Sequence, residues 1–177
     1  MVNTPRIRGF LASSLDGFIA GPNDELDWLN CAEGAEDTFT PFIKQIGALL
    51  MGRRSYDVAS SFDVPWPYGD TPVLVATHRP LEPKHPTIKA CGGSLAELVE
   101  QAKSVAAPKD VYIDGGQLVR QALDEGLLDE ITITMIPVAL GAGIPLFQGA
   151  KKAHQLELVS HRPLGKGLIE LVYRVPR

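Results

Sequence analysis

Val111-Tyr112-Ile113-Asp114-Gly115-Gly116-Gln117-Leu118 passes from a short β-branched apolar run into paired glycines and then into residues with helical spacing. A buried strand that ends in glycine and turns directly into a helix is the building block of an open α/β sheet, where ligands gather at the carboxyl ends of the strands. The segment Ala48-Leu49-Leu50-Met51-Gly52-Arg53-Arg54-Ser55-Tyr56 repeats the pattern upstream. Glycine lets a backbone or ligand approach closely, the helix that follows offers free N–H groups, and the arginines add charge suited to phosphate. Each turn also has a plainer reading, as a glycine cap with a solvated polar rim. The paired glycines are not the full GxGxxG fingerprint of a dinucleotide-binding βαβ unit. Asp114 is the unusual residue, because a carboxylate beside a phosphate is unfavourable unless it caps the helix or faces another ligand.

Outward from these turns, strands are expected at Ile7–Ala12, Ala48–Met51, Val73–Ala76, Val111–Ile113 and Ile131–Val138. Two further segments, His154–Ser160 and Leu168–Val175, alternate apolar and polar residues, and the Arg162–Gly167 stretch between them suggests an antiparallel edge hairpin. Ser94-Leu95-Ala96-Glu97 reads as a capping box opening a helix that carries Leu95, Leu98, Val99 and Ala102 on one face. Other helices are expected around 38–46, with Pro41 in the first turn, and from Leu118 to a stop at Gly126. Strands alternating with helices predict an α/β domain over 1–177 whose mostly parallel central sheet is covered on both faces, with the hairpin at one edge.

Composition narrows the function. The chain has 177 residues, 45% of them hydrophobic and 21% charged, which suits one globular domain. A net charge of -4 provides no general attraction to nucleic acid or anionic membranes. An apolar run of about 18 residues, as a membrane span needs, does not occur, nor does the apolar core of a signal peptide, so a cytoplasmic protein is expected. Cys31 and Cys91 are expected to be free thiols rather than a disulfide, and His78, His85, His154 and His161 have no metal-ligand spacing. His154 and His161 are read as surface or interface residues of the terminal hairpin. Trp66-Pro67-Tyr68-Gly69 is a rigid aromatic loop that either packs on the body or meets a substrate.

A third strand end, Val75-Ala76-Thr77-His78-Arg79-Pro80, offers hydroxyl, imidazole and guanidinium donors. Together with Arg53 and Arg54 it could form a local basic pocket for a 2′-phosphate, which favours NADPH over NADH; the alternative is an ordinary polar loop.

With the segments Ala12-Ser13-Ser14-Leu15-Asp16-Gly17-Phe18-Ile19-Ala20 and Asp129 to Gly143, these turns make the chain resemble the dihydrofolate reductase-like superfamily. Within it, the similarity is to the reductase domain of bacterial riboflavin biosynthesis. The resemblance implies a three-layer fold with a mostly parallel sheet of about eight strands, and NADPH as hydride source for a small pteridine- or pyrimidine-like heterocycle. One such reaction is the reduction of 5-amino-6-(5-phosphoribosylamino)uracil. A true dihydrofolate reductase and a non-catalytic nucleotide-binding protein are the alternatives.

By the same resemblance Gly52, Arg53, Arg54 and Ser55 hold the phosphate region, and Thr77, His78 and Arg79 surround the 2′-phosphate. Gly115, Gly116, Gln117 and Leu118 take the pyrophosphate, while Ala12 and Ile19 flank the nicotinamide. Asp16 lies in the loop covering the substrate, Trp28 matches a substrate-contacting aromatic, and Asp37 or Glu36 is the expected proton donor. No basic cluster for a substrate ribose phosphate stands between Trp28 and Lys44. A homodimer is expected, covering the edge hairpin and the apolar strand Ile131–Val138.

Overall fold

A computed structural model describes residues 4–177. Among the described residues, ten strands and four α-helices follow one another. The strands are β1 (Ile7–Ser14), β2 (Phe18–Ala20), β3 (Ile46–Gly52), β4 (Val73–Ala76), β5 (Ile88–Cys91), β6 (Asp110–Asp114), β7 (Glu130–Ile136), β8 (Ile144–Pro145), β9 (Glu157–Gly165) and β10 (Leu168–Arg174). The helices are α1 (Phe39–Ile43), α2 (Arg53–Ser61), α3 (Leu95–Ala106) and α4 (Gly116–Asp124), with a 3₁₀ turn at Asp27–Ala32.

Eight strands form one sheet in the order β5-β4-β3-β6-β1-β7-β10-β9. The first six in that order pair in parallel, and β10 joins β7 and β9 antiparallel. This is the expected three-layer α/β fold. Parallel strands are covered on both faces, so their residues are apolar on both. On one face Ala48, Leu50, Val111 and Ile113 pack beneath α3 and α4. On the other, Leu49, Met51, Val73 and Tyr112 pack beneath α1 and α2 with Phe42 and Tyr56.

Helix α3 begins as its sequence directs: the Ser94 side chain accepts the Glu97 N–H, and the Glu97 carboxylate accepts the Ser94 N–H. Its far end presses on β3, where a Cβ added to Gly47 would fall on the Ala106 carbonyl. At the amino ends of β1, β6 and β7, Arg8 is buried and bridges Glu130 at 2.8 Å and Asp110 at 3.3 Å. Its guanidinium lies 4.9 Å from the Phe42 ring centre. Two carboxylates thus converge on one desolvated cation, which ties three strands together at the end remote from the cleft.

Some boundaries differ from expectation. The helix expected at 38–46 is only α1, because Gly47 and the apolar run after it are drawn into the sheet as β3. The terminal hairpin is longer than expected: β9 runs to Gly165, and Gly165, Lys166 and Gly167 turn with positive φ. His154 lies before β9 and not on it, with its ring 2.7 Å from Asp124 at the end of α4. Strand β7 is an interior strand with Ile131, Ile133 and Ile136 buried, so it has no apolar face left for a partner. Cys31 and Cys91 are free thiols. No helix among the described residues is long and apolar enough to cross a membrane.

Replacing Gly47 with alanine must push α3 off β3. We expect a loss on the order of 3 kcal/mol in urea unfolding, the upper range for forcing extra volume into a packed core; an unchanged midpoint would show that the contact yields freely.

Candidate active site

Strands β3 and β6 are parallel neighbours with Met51 opposite Asp114, so their two glycine turns leave the sheet side by side. Helices α2 and α4 therefore begin next to each other. Neither Gly52 nor Gly115, their N-caps, supplies a side-chain cap, which leaves first-turn N–H groups without one. Gly115 has φ of +106°. A Cβ there would stand 2.6 Å from Ser55 Oγ and 3.8 Å from the Gly52 nitrogen. Glycine is thus required twice over, by backbone conformation and by close approach. A Cβ on Gly116 would meet Ile19 Cδ1 at 2.6 Å, so β2 lies directly over the start of α4.

Between these elements lies a cleft of about 660 Å³. Its lining includes the predicted residues Ala12, Ile19, Gly52, Arg53, Arg54, Ser55, Arg79, Asp114, Gly115, Gly116, Gln117 and Leu118. Arg53 donates to Asp57 at 2.7 Å and to the Pro80 carbonyl at 2.9 Å, with Thr77 Oγ1 at 3.4 Å. The Arg79 N–H donates to Thr77 Oγ1 at 3.1 Å. The His78 ring sits beside Gly92, where a Cβ would be 3.4 Å away. Across the mouth, Arg54 forms a forked pair with Asp24 at 2.8 and 3.0 Å.

Asp114 ends β6 on the same face as Tyr112. Burial pushes its carboxyl up to about 6, against the opposing influence of Tyr112, the Gly115 N–H and Tyr68. The Tyr112 hydroxyl has a single proton and gives it to the Phe10 carbonyl at 2.8 Å, leaving Asp114 Oδ1 a longer contact at 3.3 Å. Burial in turn raises the phenols of Tyr68 and Tyr112 well above the ordinary range, followed by the nearby Asp114 carboxylate. Of the aromatic loop, Tyr68 reaches the cleft, while Trp66 packs edge-on against Tyr56 and Tyr68.

Thr77 and His78 do not line the cleft, and four other expected site residues stand elsewhere. Asp37 Oδ1 accepts the Phe39 and Thr40 N–H groups, each at 3.0 Å, at the start of α1. Its bonds to Thr40, then Phe39, hold its carboxyl below the usual range. Glu36 pairs with Arg162 at 2.7 Å. Neither lines the cleft. Trp28 turns its Nε1–H to the Glu25 carbonyl at 3.1 Å and packs beside Leu164 and Leu168. Asp16 accepts the Ser14 hydroxyl at 2.6 Å and the Leu140 and Gly141 N–H groups at 3.0 and 2.7 Å. These bonds, Ser14 first, bring its carboxyl down to about 2. Asp16 therefore ties the loop after β1 to the loop after β7 and does not face the cleft. Leu26, Leu29, Val58 and Phe62 also line the cleft, Leu26, Leu29 and Phe62 from the segments around 26–42 and 60–70 expected to wall the substrate pocket.

The RibD C-terminal domain family matches residues 5–169, and the chain belongs to that family. Two Bacillus subtilis (strain 168) proteins, the uncharacterized proteins YyaP and YwjB, are each 31% identical to it. Their alignments cover 92% and 90% of this chain and 91% and 92% of theirs. Among solved structures, a provisionally named riboflavin biosynthesis protein from Shewanella sp. PV-4 is 30% identical over 97% of this chain and 99% of its own, with a TM-score of 0.86. Dihydrofolate reductase from Enterococcus faecalis, complexed with NADP(H), shares the fold at a TM-score of 0.68 and 17% identity, covering all of both chains.

The raised Asp114 carboxyl makes a pH prediction. Its native value of about 6 lies above the ordinary aspartate value of 3.8, so its contribution to stability is full below pH 3.8 and lost as pH rises through about 6. Asp114→Asn should be more stable than the parent at pH 7.5, and the advantage should shrink towards pH 4.5 in urea titrations. An advantage independent of pH would show that Asp114 ionises normally.

Proposed function

We propose that the protein is an NADPH-dependent reductase that delivers a hydride to a small heterocycle of pteridine or pyrimidine type. The observation that carries this reading is the meeting of two helix N-termini, uncapped by side chains, at Gly115 and Ser55. Such a junction suits a pyrophosphate, because both helix dipoles and their free N–H groups point at the same space. A Cβ at Gly115 would fill the cradle, and the flanking donors are guanidinium, hydroxyl and backbone N–H groups. The residues present fit the group. Membership of the RibD C-terminal domain family, and the shared fold of an NADP(H)-bound dihydrofolate reductase, support the same reading.

When bound, the cofactor supplies the hydride. Gly52 to Ser55 and Gly115 to Leu118 hold the phosphates, and Arg53, Thr77, His78 and Arg79 cradle the 2′-phosphate. Ala12 and Ile19 flank the reacting ring. Asp16 pins the covering loop and so helps exclude water from the cleft. In place of Asp37 or Glu36, Asp114, with its carboxyl raised to about 6, takes up a proton as the pH falls towards that value, and as the carboxylate it accepts a substrate N–H edge. Arg54, paired with Asp24 at the cleft mouth, would be available to a cofactor phosphate. A homodimer also belongs to this reading: β9 is an edge strand, and Leu158, Val159 and Ile169 are exposed on its hairpin. Sedimentation should give twice the chain mass.

Calorimetry tests the cradle directly. Arg54→Ala should weaken NADP⁺ binding about tenfold, the loss of one charge-assisted contact. Asp24→Asn should tighten it several-fold by removing the competing carboxylate. Absence of NADP⁺ or NADPH binding at millimolar concentration would defeat the reading.

A further inference from the structure

The cleft is chemically graded along α2. Arg54 and Val58 are four residues apart on α2 and so share one stripe, about 6 Å per step, and Phe62 follows as the residue that ends the helix. All three line the cleft. At the first turn the stripe is cationic; beyond it, Val58 and Phe62 face Leu26 and Leu29, with Ala59 beside them. Phe62 is 48% exposed, an aromatic rim with nothing of this chain over much of its surface.

The cations that line the cleft are Arg53, Arg54, Arg79 and Arg120. The first two open α2, and Arg79 is tied to the same turn through Asp57. Arg120 is spent on the Pro145 and Leu146 carbonyls at 2.7 and 3.0 Å. The apolar end therefore has no basic group of its own. A phosphate lodged there would be desolvated against hydrocarbon without a counter-charge, which is strongly unfavourable. An aryl or alkyl group would gain from burying the same surface.

Building on the reductase reading above, we propose that the substrate is an unphosphorylated flat heterocycle bearing an apolar substituent. Its polar edge meets Asp114, and its substituent lies between Leu26, Leu29, Val58 and Phe62. The chain then differs from a phosphoribosyl-specific reductase at this end of the cleft, while keeping the cofactor end.

The test compares two ligands sharing a 5,6-diaminouracil ring, one 6-benzylamino and one 6-(5-phosphoribosylamino). Each is titrated calorimetrically into the full chain, with and without NADP⁺. The benzyl compound should bind at least about tenfold tighter, as expected for burying one aromatic group. Phe62→Ala should erase most of that preference, and Val58→Arg should shift it towards the phosphorylated ligand. NADP⁺ titration of each variant reports whether the fold is intact. Equal or tighter binding of the phosphorylated compound, binding of neither, or a preference unmoved by Phe62→Ala overturns the proposal. Failure of NADP⁺ itself to bind defeats only the reductase reading, since the ligand preference is still read without it.

Discussion

The parallel pairing of β3 with β6 is the constraint on which the site depends. Two strands far apart in sequence are hydrogen-bonded so that Met51 stands opposite Asp114. Because both run in the same direction, both helices that follow begin at the same edge of the sheet. Their N-termini meet closely enough that only glycine is tolerated at 115. Two half-charges of like sign are brought together there, an arrangement that is electrostatically costly unless an anion sits between them. The apolar faces of β3 and β6, with α3 and α4 on one side and α1 and α2 on the other, impose that proximity.

Charge is distributed in opposite ways at the two ends of the sheet. At the amino ends, Arg6 and Arg8 are closely matched by Asp110 and Glu130, and the cluster is satisfied within the chain. At the carboxyl ends the helix N-termini lack side-chain caps, Arg54 is held only by a pair at the cleft mouth, and Asp114 is buried with weak partners. One end is built for stability. The other leaves polar groups incompletely satisfied, the state in which a ligand has something to gain by binding.

Local signals in the sequence were legible where the chemistry is itself local. The capping box at Ser94 and Glu97, the strand runs and both glycine turns involve residues within a few positions of each other, and the structure contains them all. Residues whose surroundings come from distant segments carry no such local signal. Glu36, an acid by position, pairs with Arg162 of the terminal hairpin, 126 residues away. Asp16 faces backbone donors of Leu140 and Gly141, which nothing near Asp16 could reveal. The apolar wall of Leu26, Leu29 and Phe62 comes from segments without periodicity or motif, so no local pattern singles out those residues.

By itself the sequence determined that the chain makes an α/β sheet with glycine turns at the ends of strands, since apolar periodicity and backbone permissiveness are properties of neighbouring residues. It also showed the absence of a basic cluster between Trp28 and Lys44. Only the tertiary structure decided that the two turns form one cradle, that Asp114 is the buried acid of the cleft, and that Arg54 faces Asp24. Strand order and burial are collective results of packing, and the electrostatic character of a carboxylate follows from what surrounds it in space rather than along the chain.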